Sequence, residues 1–417
     1  MPSIGSPQHS HPKEMLSSLK PQDHEDDDEE EEDPHQHKQQ TQQSPTLRHL
    51  LLHCADQIHH ADLPAARRAV SLLSAASSPS GDSAERIAHQ FAIALSLRID
   101  RTSILPSPFP ATDLNDEAIQ SSYLSLNQIA PFLRFAHLTA NQAILEAVEG
   151  RRSIHILDFD TSYGVQWPPL LQAIADRSPP SDPPSIRITG TGSDPAVLRR
   201  TALRLHSFAA SLHLPFHFHP LLVPPTASAS TSPPSAALRL HPGETLAVNC
   251  VFFLHKLLKD DPTDGLRDAR AFLLSVRGLN PEVVTVAERD ASHGSPAFLR
   301  RFEAAVDHYT AVFESLEATL PPRSLERMTV ERVWLGREIA RVVAGDERHE
   351  RWERWEELMR LSGFAAMPLS PFAVSQARLL LRLHYPAEGY QLKVLRGACF
   401  LGWHSKPLFS VSSWRCN

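Results

Sequence analysis

From Leu47 the apolar residues recur at helical spacing. Leu47, Leu50, Leu51, Cys54 and Ile58 fall on one helix face. Ala66, Ala69, Val70 and Leu73 repeat the pattern in a second helix. Asp82 and Glu85 have the spacing of a capping box, and Ile87, Phe91 and Leu95 then line one face. Pro131 is suited to open a further helix and Gly150 to close it, with Phe132, Phe135, Ala136, Thr139, Ala143, Ala147 and Val148 between them. The pattern predicts an all-helical cap over residues 47–150.

The period then changes. Ile154–Phe159, Ile186–Thr191, Leu214–Phe218, Leu246–Phe253 and Val283–Ala287 are short apolar or β-branched runs. Helical stretches at Pro168–Asp176, Pro195–Leu212 and Leu266–Leu279 separate some of them. This alternation predicts a mainly parallel sheet with helices on both faces. Residues 221–238, rich in Pro, Ser, Thr and Ala, read as a surface loop. Three charged helices follow over 296–320, 323–344 and 347–361, of which 296–345 is assigned to the cap. Tyr390–Leu395, Cys399–Trp403 and Leu408–Trp414 read as strands joined by tight turns. The expected fold is α/β: a Rossmann-like sheet of the methyltransferase type, ending in an antiparallel hairpin, with an N-terminal helical cap. The core is expected over 151–417.

Charge divides the chain. The formal net charge is −7, yet residues 1–46 carry eleven acids and three lysines, a net of −8. The remainder is therefore about +1, so any phosphate contact must come from a local patch. Residues 1–46 read as a disordered acidic tail, either a solubilising segment or an acidic contact for a partner. The four cysteines, Cys54, Cys250, Cys399 and Cys416, make no close pair and favour a reducing compartment. No secretory leader and no apolar run of the roughly 18–20 residues needed to span a bilayer is evident, and no membrane contact is expected.

In open α/β sheets ligands bind beyond the carboxyl ends of the strands. Asp158, Asp160, Gly190, Gly192, Asp194, Asn249 and Glu288 would form that rim. Asp158, Asp160, Asp194 and Glu288 are the candidate crevice residues: they bind ribose-like hydroxyls, or they cap helices and close turns. The first βα turn, Asp160-Thr161-Ser162-Tyr163-Gly164, has one glycine, where a dinucleotide or S-adenosylmethionine loop wants two or three. No catalytic residue and no cofactor are expected. His213, His217 and His219 lack a nearby carboxylate or thiolate, so no metal site is expected. Two LxxLL patterns, Leu47/Leu50/Leu51 and Leu254/Leu257/Leu258, present a helix face to a partner groove or form a buried stripe. Arg151-Arg152, Arg199-Arg200 and Arg300-Arg301 are phosphate contacts or solvated helix ends.

Across residues 47–417 the sequence resembles the GRAS domain of plant transcriptional regulators. The family's VHIID strand appears as Ile154-His155-Ile156-Leu157-Asp158. Its two leucine-rich regions match Leu47 to Ile99 and about 195–258. Tyr309, Phe313 and the pair Arg337-Glu338 stand where the PFYRE region has its aromatics and closing pair. The SAW region matches the Arg/Glu/Trp helix 348–361, Leu401-Gly402-Trp403 and Ser412-Ser413-Trp414. Adjacent residues on a helix cannot face each other, so Arg337 and Glu338 are each expected to pair elsewhere, across the cap–core boundary.

Within the family, the 80–86 segment and the stretch Tyr123 to Trp167 resemble the lateral suppressor (monoculm) branch. That resemblance implies a nuclear regulator of plant development, acting in axillary meristem initiation and shoot branching. It implies contacts with other transcription factors or co-regulators, homo- or heterodimers, and DNA as a second class of partner. The alternative is a methyltransferase-like protein binding S-adenosylmethionine or another small ligand in the crevice. A third reading is a scaffold without DNA contact.

Overall fold

The computed structural model describes residues 34–103, 116–223, 238, 240–261, 264–321 and 323–417. Most of the expected acidic tail and of the expected 221–238 loop lies outside these residues.

β1 (Ser153–Asp158), β2 (Ser185–Gly192), β4 (Thr245–Val251) and β5 (Val283–Arg289) are buried along nearly their whole length. Strands of that kind need a layer on each face. β3 (Phe216–Leu222) alternates buried and exposed positions and lies at the edge. β1 pairs in parallel with β2 on one side, Ile156 opposite Ile188, and with β4 on the other, Leu157 opposite Val248. β2 pairs with β3 and β4 with β5, also in parallel. The order 3-2-1-4-5 reverses direction beside β1, which puts a topological switch point at Asp158.

The far edge is larger than the expected hairpin. β9 (Lys406–Cys416) runs antiparallel to β5, with Val284 opposite Trp414. Its other edge takes β8 (Ala398–Trp403) and, further along, β6 (Phe364–Met367), a strand too short to stand out in the sequence. β7 (Tyr390–Leu395) closes the sheet through the Arg396-Gly397 turn, where both residues take left-handed backbone. That conformation suits a two-residue hairpin and favours glycine.

The helices are α1 (Pro34–His59), α2 (Leu63–Ala76), α3 (Ser83–Ser103), α4 (Asp116–Ile129) and α5 (Pro131–Ala147), then α6 (Trp167–Arg177) and α7 (Pro195–Ser211). α8 (Arg267–Gly278), α9 (Phe298–Thr319), α10 (Leu325–Thr329), α11 (Gly336–Ala344), α12 (Trp352–Leu361) and α13 (Pro371–His384) follow. α1 starts within the segment read as tail. The Asp82/Glu85 box forms reciprocally: Glu85 N–H donates to Asp82 Oδ1 at 2.8 Å and Asp82 N–H to Glu85 Oε2 at 3.2 Å. α7 ends early because His213 takes left-handed backbone and Leu214 N–H returns to Ala209. β3 therefore starts at Phe216 rather than Leu214. The expected helix at 347 starts only at Trp352, whose N–H donates to Asp290. Residues 345–351 form an irregular strap instead.

Two findings bear on the cap. α5 was expected with it, but α5 lies on β4, β5 and β9. Its buried residues run around most of the helix, as a helix between two layers requires. Conversely α9, α10 and α11 supply helices that pack with α3 and α4. Between α10 and α11 the chain opens into a π-helical turn, Val330–Leu335, where the sequence predicts one continuous helix. Such turns reposition side chains within a helix.

That turn carries Glu331, buried against Arg86 of α3. Arg86 Nε donates to Glu331 Oε2 at 2.8 Å, and Arg86 Nη1 donates to Glu317 Oε1 at 3.1 Å and to the Gly81 carbonyl. Arg86 and Glu331 are each 2% exposed. Arg86→Ala leaves the Glu331 carboxylate buried without its main partner, which costs about 3–5 kcal/mol. Replacing both residues with apolar ones of similar volume is expected to restore most of that loss. Urea unfolding checks both; a loss under about 1 kcal/mol for the single variant excludes a structural role for the pair.

Candidate regulatory site at the switch point

Asp158 ends β1 and is 2% exposed. Its oxygens are already used. Trp167 Nε1, at the start of α6, donates to Oδ2 at 2.9 Å, and Asn249 Nδ2 of β4 donates to Oδ1 at 2.9 Å. Asn249 Oδ1 in turn accepts from Thr285 Oγ1 and Gln166 Nε2, both at 3.0 Å, and Asn141 of α5 donates to the Gln166 carbonyl at 2.8 Å. The network joins β1, β4, β5, α5 and α6. Burial pushes the Asp158 carboxyl up to about 6, against the lowering effect of its two donors.

The rest of the rim is occupied in the same way. Asp194 Oδ1 accepts from the Ala196 and Val197 N–H groups and caps α7. Asp160 pairs with Lys256. Glu288 accepts from His255 through the backbone N–H at 3.2 Å and lies 2.8 Å from His255 Nδ1. Gly190 has no room for a larger residue: a Cβ there would lie 2.3 Å from Thr161 Oγ1. The first βα turn thus packs directly against the end of β2 at this point.

Beside the network lies a cavity of about 610 Å³. Thr161, Gln166, His255 and Lys256 line it from the sheet side, and Tyr123, Trp334, Glu338, Arg341 and Glu347 also line it. Glu338 pairs with Arg289 at the end of β5, both nearly buried. This ion pair clamps α11 to the sheet. Arg337, also on α11, lines an adjoining groove with Asp160, Ser162 and Asp194.

The other predicted residues have structural places. Ile154, Ile156 and Leu157 are core. His155 is fully buried, 2.9 Å from Thr189 Oγ1 and 3.1 Å from Arg187; burial and that guanidinium push it down to about 4, so it is neutral. Leu47, Leu51, Leu254, Leu257 and Leu258 are buried and Leu50 is half-buried, so neither LxxLL pattern offers its leucines to a partner. Leu254–Leu257 is a single 3-10 turn, too short for a groove-binding helix. Trp403 packs edge-on against Tyr390 at 5.0 Å. Trp414 Nε1 donates to Ser412 Oγ at 2.9 Å, and Ser413 Oγ donates to the Met367 carbonyl at 2.9 Å. Arg151 and Arg152 pair with Glu282 and Asp182, and Arg301 is buried. Sequence reasoning missed Arg289, Trp334, Arg341, Glu347 and His349. They come from distant segments, and no local spacing links them.

The model of the GRAS domain family matches residues 47–415. The chain belongs to the GRAS domain family. Protein MONOCULM 1 of Oryza sativa subsp. japonica is 52% identical over 89% of this chain and 88% of its own length. Scarecrow-like protein 18 of Arabidopsis thaliana is 48% identical over 88% of this chain and 91% of its own. The crystal structure of SCL7 from Oryza sativa superposes with a TM-score of 0.74 at 35% identity, covering 88% of this chain and 99% of that one. This GRAS protein thus shares the Rossmann-like core with its antiparallel extension, and it is related to regulators of plant development. The segment expected to match the VHIID strand is the inner strand that ends at Asp158, and the segment expected to match the SAW region builds the antiparallel edge. No described helix is long and apolar enough to cross a membrane.

Asp158→Ala orphans two buried donors, at about 1–3 kcal/mol each. The expected loss is about 2–4 kcal/mol in chemical unfolding. Its pH dependence has a definite sign. The folded carboxyl titrates near 6, above its unfolded value, so the native state holds the extra proton at mildly acidic pH. Asp158 therefore stabilises the fold more at about pH 5 than at about pH 7, and the variant's deficit grows by about 1 kcal/mol at the lower pH. An equal deficit at both values contradicts the buried-acid assignment.

Proposed function

We propose that this chain is a nuclear regulator of transcription in plant development, acting in axillary meristem initiation and shoot branching. The observation that carries the reading is the 52% identity with Protein MONOCULM 1 over nearly the full length of both chains. Its partners are other transcription factors or co-regulators. The near-neutral charge outside the acidic tail supports recognition of proteins over recognition of DNA by charge alone. The used hydrogen-bond capacity of Asp158 and Asp194, and the filled space at Gly190, support a protein that does no catalysis with a nucleotide cofactor.

Exposed apolar side chains supply candidate contact surface. Phe372, Leu379 and Leu383 of α13 are 53%, 49% and 62% exposed. A helix with such a face is suited to pack against another protein. Dimer formation through this or another face, and direct DNA contact, belong to the same reading.

Expression in a plant lacking axillary buds through loss of its own related gene is expected to restore branching, with the tagged protein in nuclei and enriched at promoters. Cytosolic retention with no effect on any promoter ends the proposal. Calorimetry with S-adenosylmethionine is expected to show no saturable heat; stoichiometric binding lost in Asp158→Ala would instead favour the methyltransferase-like reading. Any duplex binding by the purified protein is expected to weaken steeply with salt.

A further inference from the structure

The strap 345–351 crosses the carboxyl end of β4 and brings two side chains beside the turn that follows that strand. His255, Glu347 and His349 each place one ligand-type atom within 4.8 Å of the others. His349 is 1% exposed, and its Nε2 makes no hydrogen bond. The nearest carboxylate oxygen, Glu347 Oε1, is 3.4 Å from that nitrogen.

We propose that His255, Glu347 and His349 form a binding site for a divalent transition-metal ion of the zinc type, which pins the strap to the sheet. The far nitrogens of both rings are already engaged. His255 Nδ1 lies 2.8 Å from Glu288 Oε2, and His349 Nδ1 lies 3.1 Å from His293 Nδ1. That leaves Nε2 of each ring for the ion. A carboxylate behind a ligating histidine fixes its tautomer and raises its basicity, the usual support of a zinc ligand. Two imidazoles and one carboxylate make a set that zinc accepts with a fourth position open. His255 and Glu347 also line the 610 Å³ cavity, so that position faces it and is available to water.

The surrounding charge is compatible. Arg289 is matched by Glu338, and Arg341 lies 3.7 Å from Glu347 Oε2, on the oxygen turned away from His349. Burial and the neighbouring His255 and Arg289 hold His349 in its neutral, ligating form. Metal–ligand bonds of about 2.0–2.2 Å set neighbouring ligand atoms roughly 3.4 Å apart around a tetrahedral ion. A pair at 4.8 Å must then close by about 1.4 Å, and the His255 and His349 rings, stacked with centroids 4.8 Å apart and planes 27° from parallel, must rotate to aim both Nε2 atoms at one ion. The sequence conceals the site because His255 lies in one LxxLL pattern and its partners follow some ninety residues later.

The test uses the full chain, stripped with a chelator and titrated with Co²⁺ and then Zn²⁺. Saturable, stoichiometric visible absorption of a low-coordinate Co²⁺ ion, displaced by Zn²⁺, is expected, together with a Zn²⁺-dependent rise in Tm. Glu347→Gln and His349→Asn are expected to abolish the Co²⁺ spectrum. Glu288→Gln, which leaves the three ligands in place, is expected to weaken affinity about 10–100-fold. A double variant of two histidines of β3 outside the site, His217→Asn with His219→Asn, serves as the control and keeps full affinity. Absence of saturable binding by the unmodified chain overturns the site without reference to any variant. So does binding that persists unchanged in His349→Asn, which would place the metal elsewhere.

Discussion

A carboxylate with no access to water must find its donors inside the protein. Asp158 meets that demand with Trp167 and Asn249, and much of the architecture follows from it. Trp167 sets where α6 begins after the first turn. Asn249 ties the parallel neighbour β4 to the same point and passes the network on to Thr285 of β5 and Gln166. A carboxyl group at this position of a Rossmann-like sheet is chemically suited to ligand hydroxyls. Here its lone pairs are directed at the protein, and the first βα turn folds down over them. The same residue that could start a nucleotide site locks the switch point.

Buried ionic contacts hold the cap together and tie it to the sheet. Arg86 of α3 reaches Glu331 in the π-helical turn, within the cap, and Arg289 of β5 reaches Glu338 about two turns further along, from sheet to cap. The extra residue of the π turn matters because it shifts the register between Glu331 and Glu338. One carboxylate thereby faces the cap helices while the other faces the sheet. Buried pairs of this kind contribute little net stability relative to apolar packing, yet each is costly to break. They fix one docking of cap on core, which suits a protein whose function is to present a defined surface.

The cavity lies beside the Arg289–Glu338 clamp, beyond the carboxyl ends of the parallel strands, where open α/β sheets hold ligands. Its walls carry charged side chains in pairs, Asp160 with Lys256 and Arg289 with Glu338. The strap 345–351 shapes one wall. It is anchored by Arg348 on Asp260 at 2.6 Å and by the backbone bond from His293 N–H to the His349 carbonyl at 2.9 Å. Whatever tightens this strap also sets the size of the cavity and the position of α12, which leaves from its end.

The sequence by itself determined the elements whose signal is local. Hydrophobic period placed β1, β2, β4 and β5, the Asp82/Glu85 spacing marked the start of α3, and the motif order from Ile154–Asp158 to Trp414 indicated the family. Local signals read well because each depends on neighbours within a few residues. Tertiary structure alone decided the rest. Whether Asp158 faced a ligand or a tryptophan depended on α6 and β4 meeting above it. The leucines of the LxxLL patterns look alike whether they cover a partner or a core, and only packing buried them. α5 left the cap for the sheet because apolar residues on several faces need two layers. Glu338 found Arg289, and His255 found Glu347 and His349, across separations that no spacing rule spans. Ionic and ligand geometry is set by the convergence of distant segments, and that convergence exists only in the folded chain.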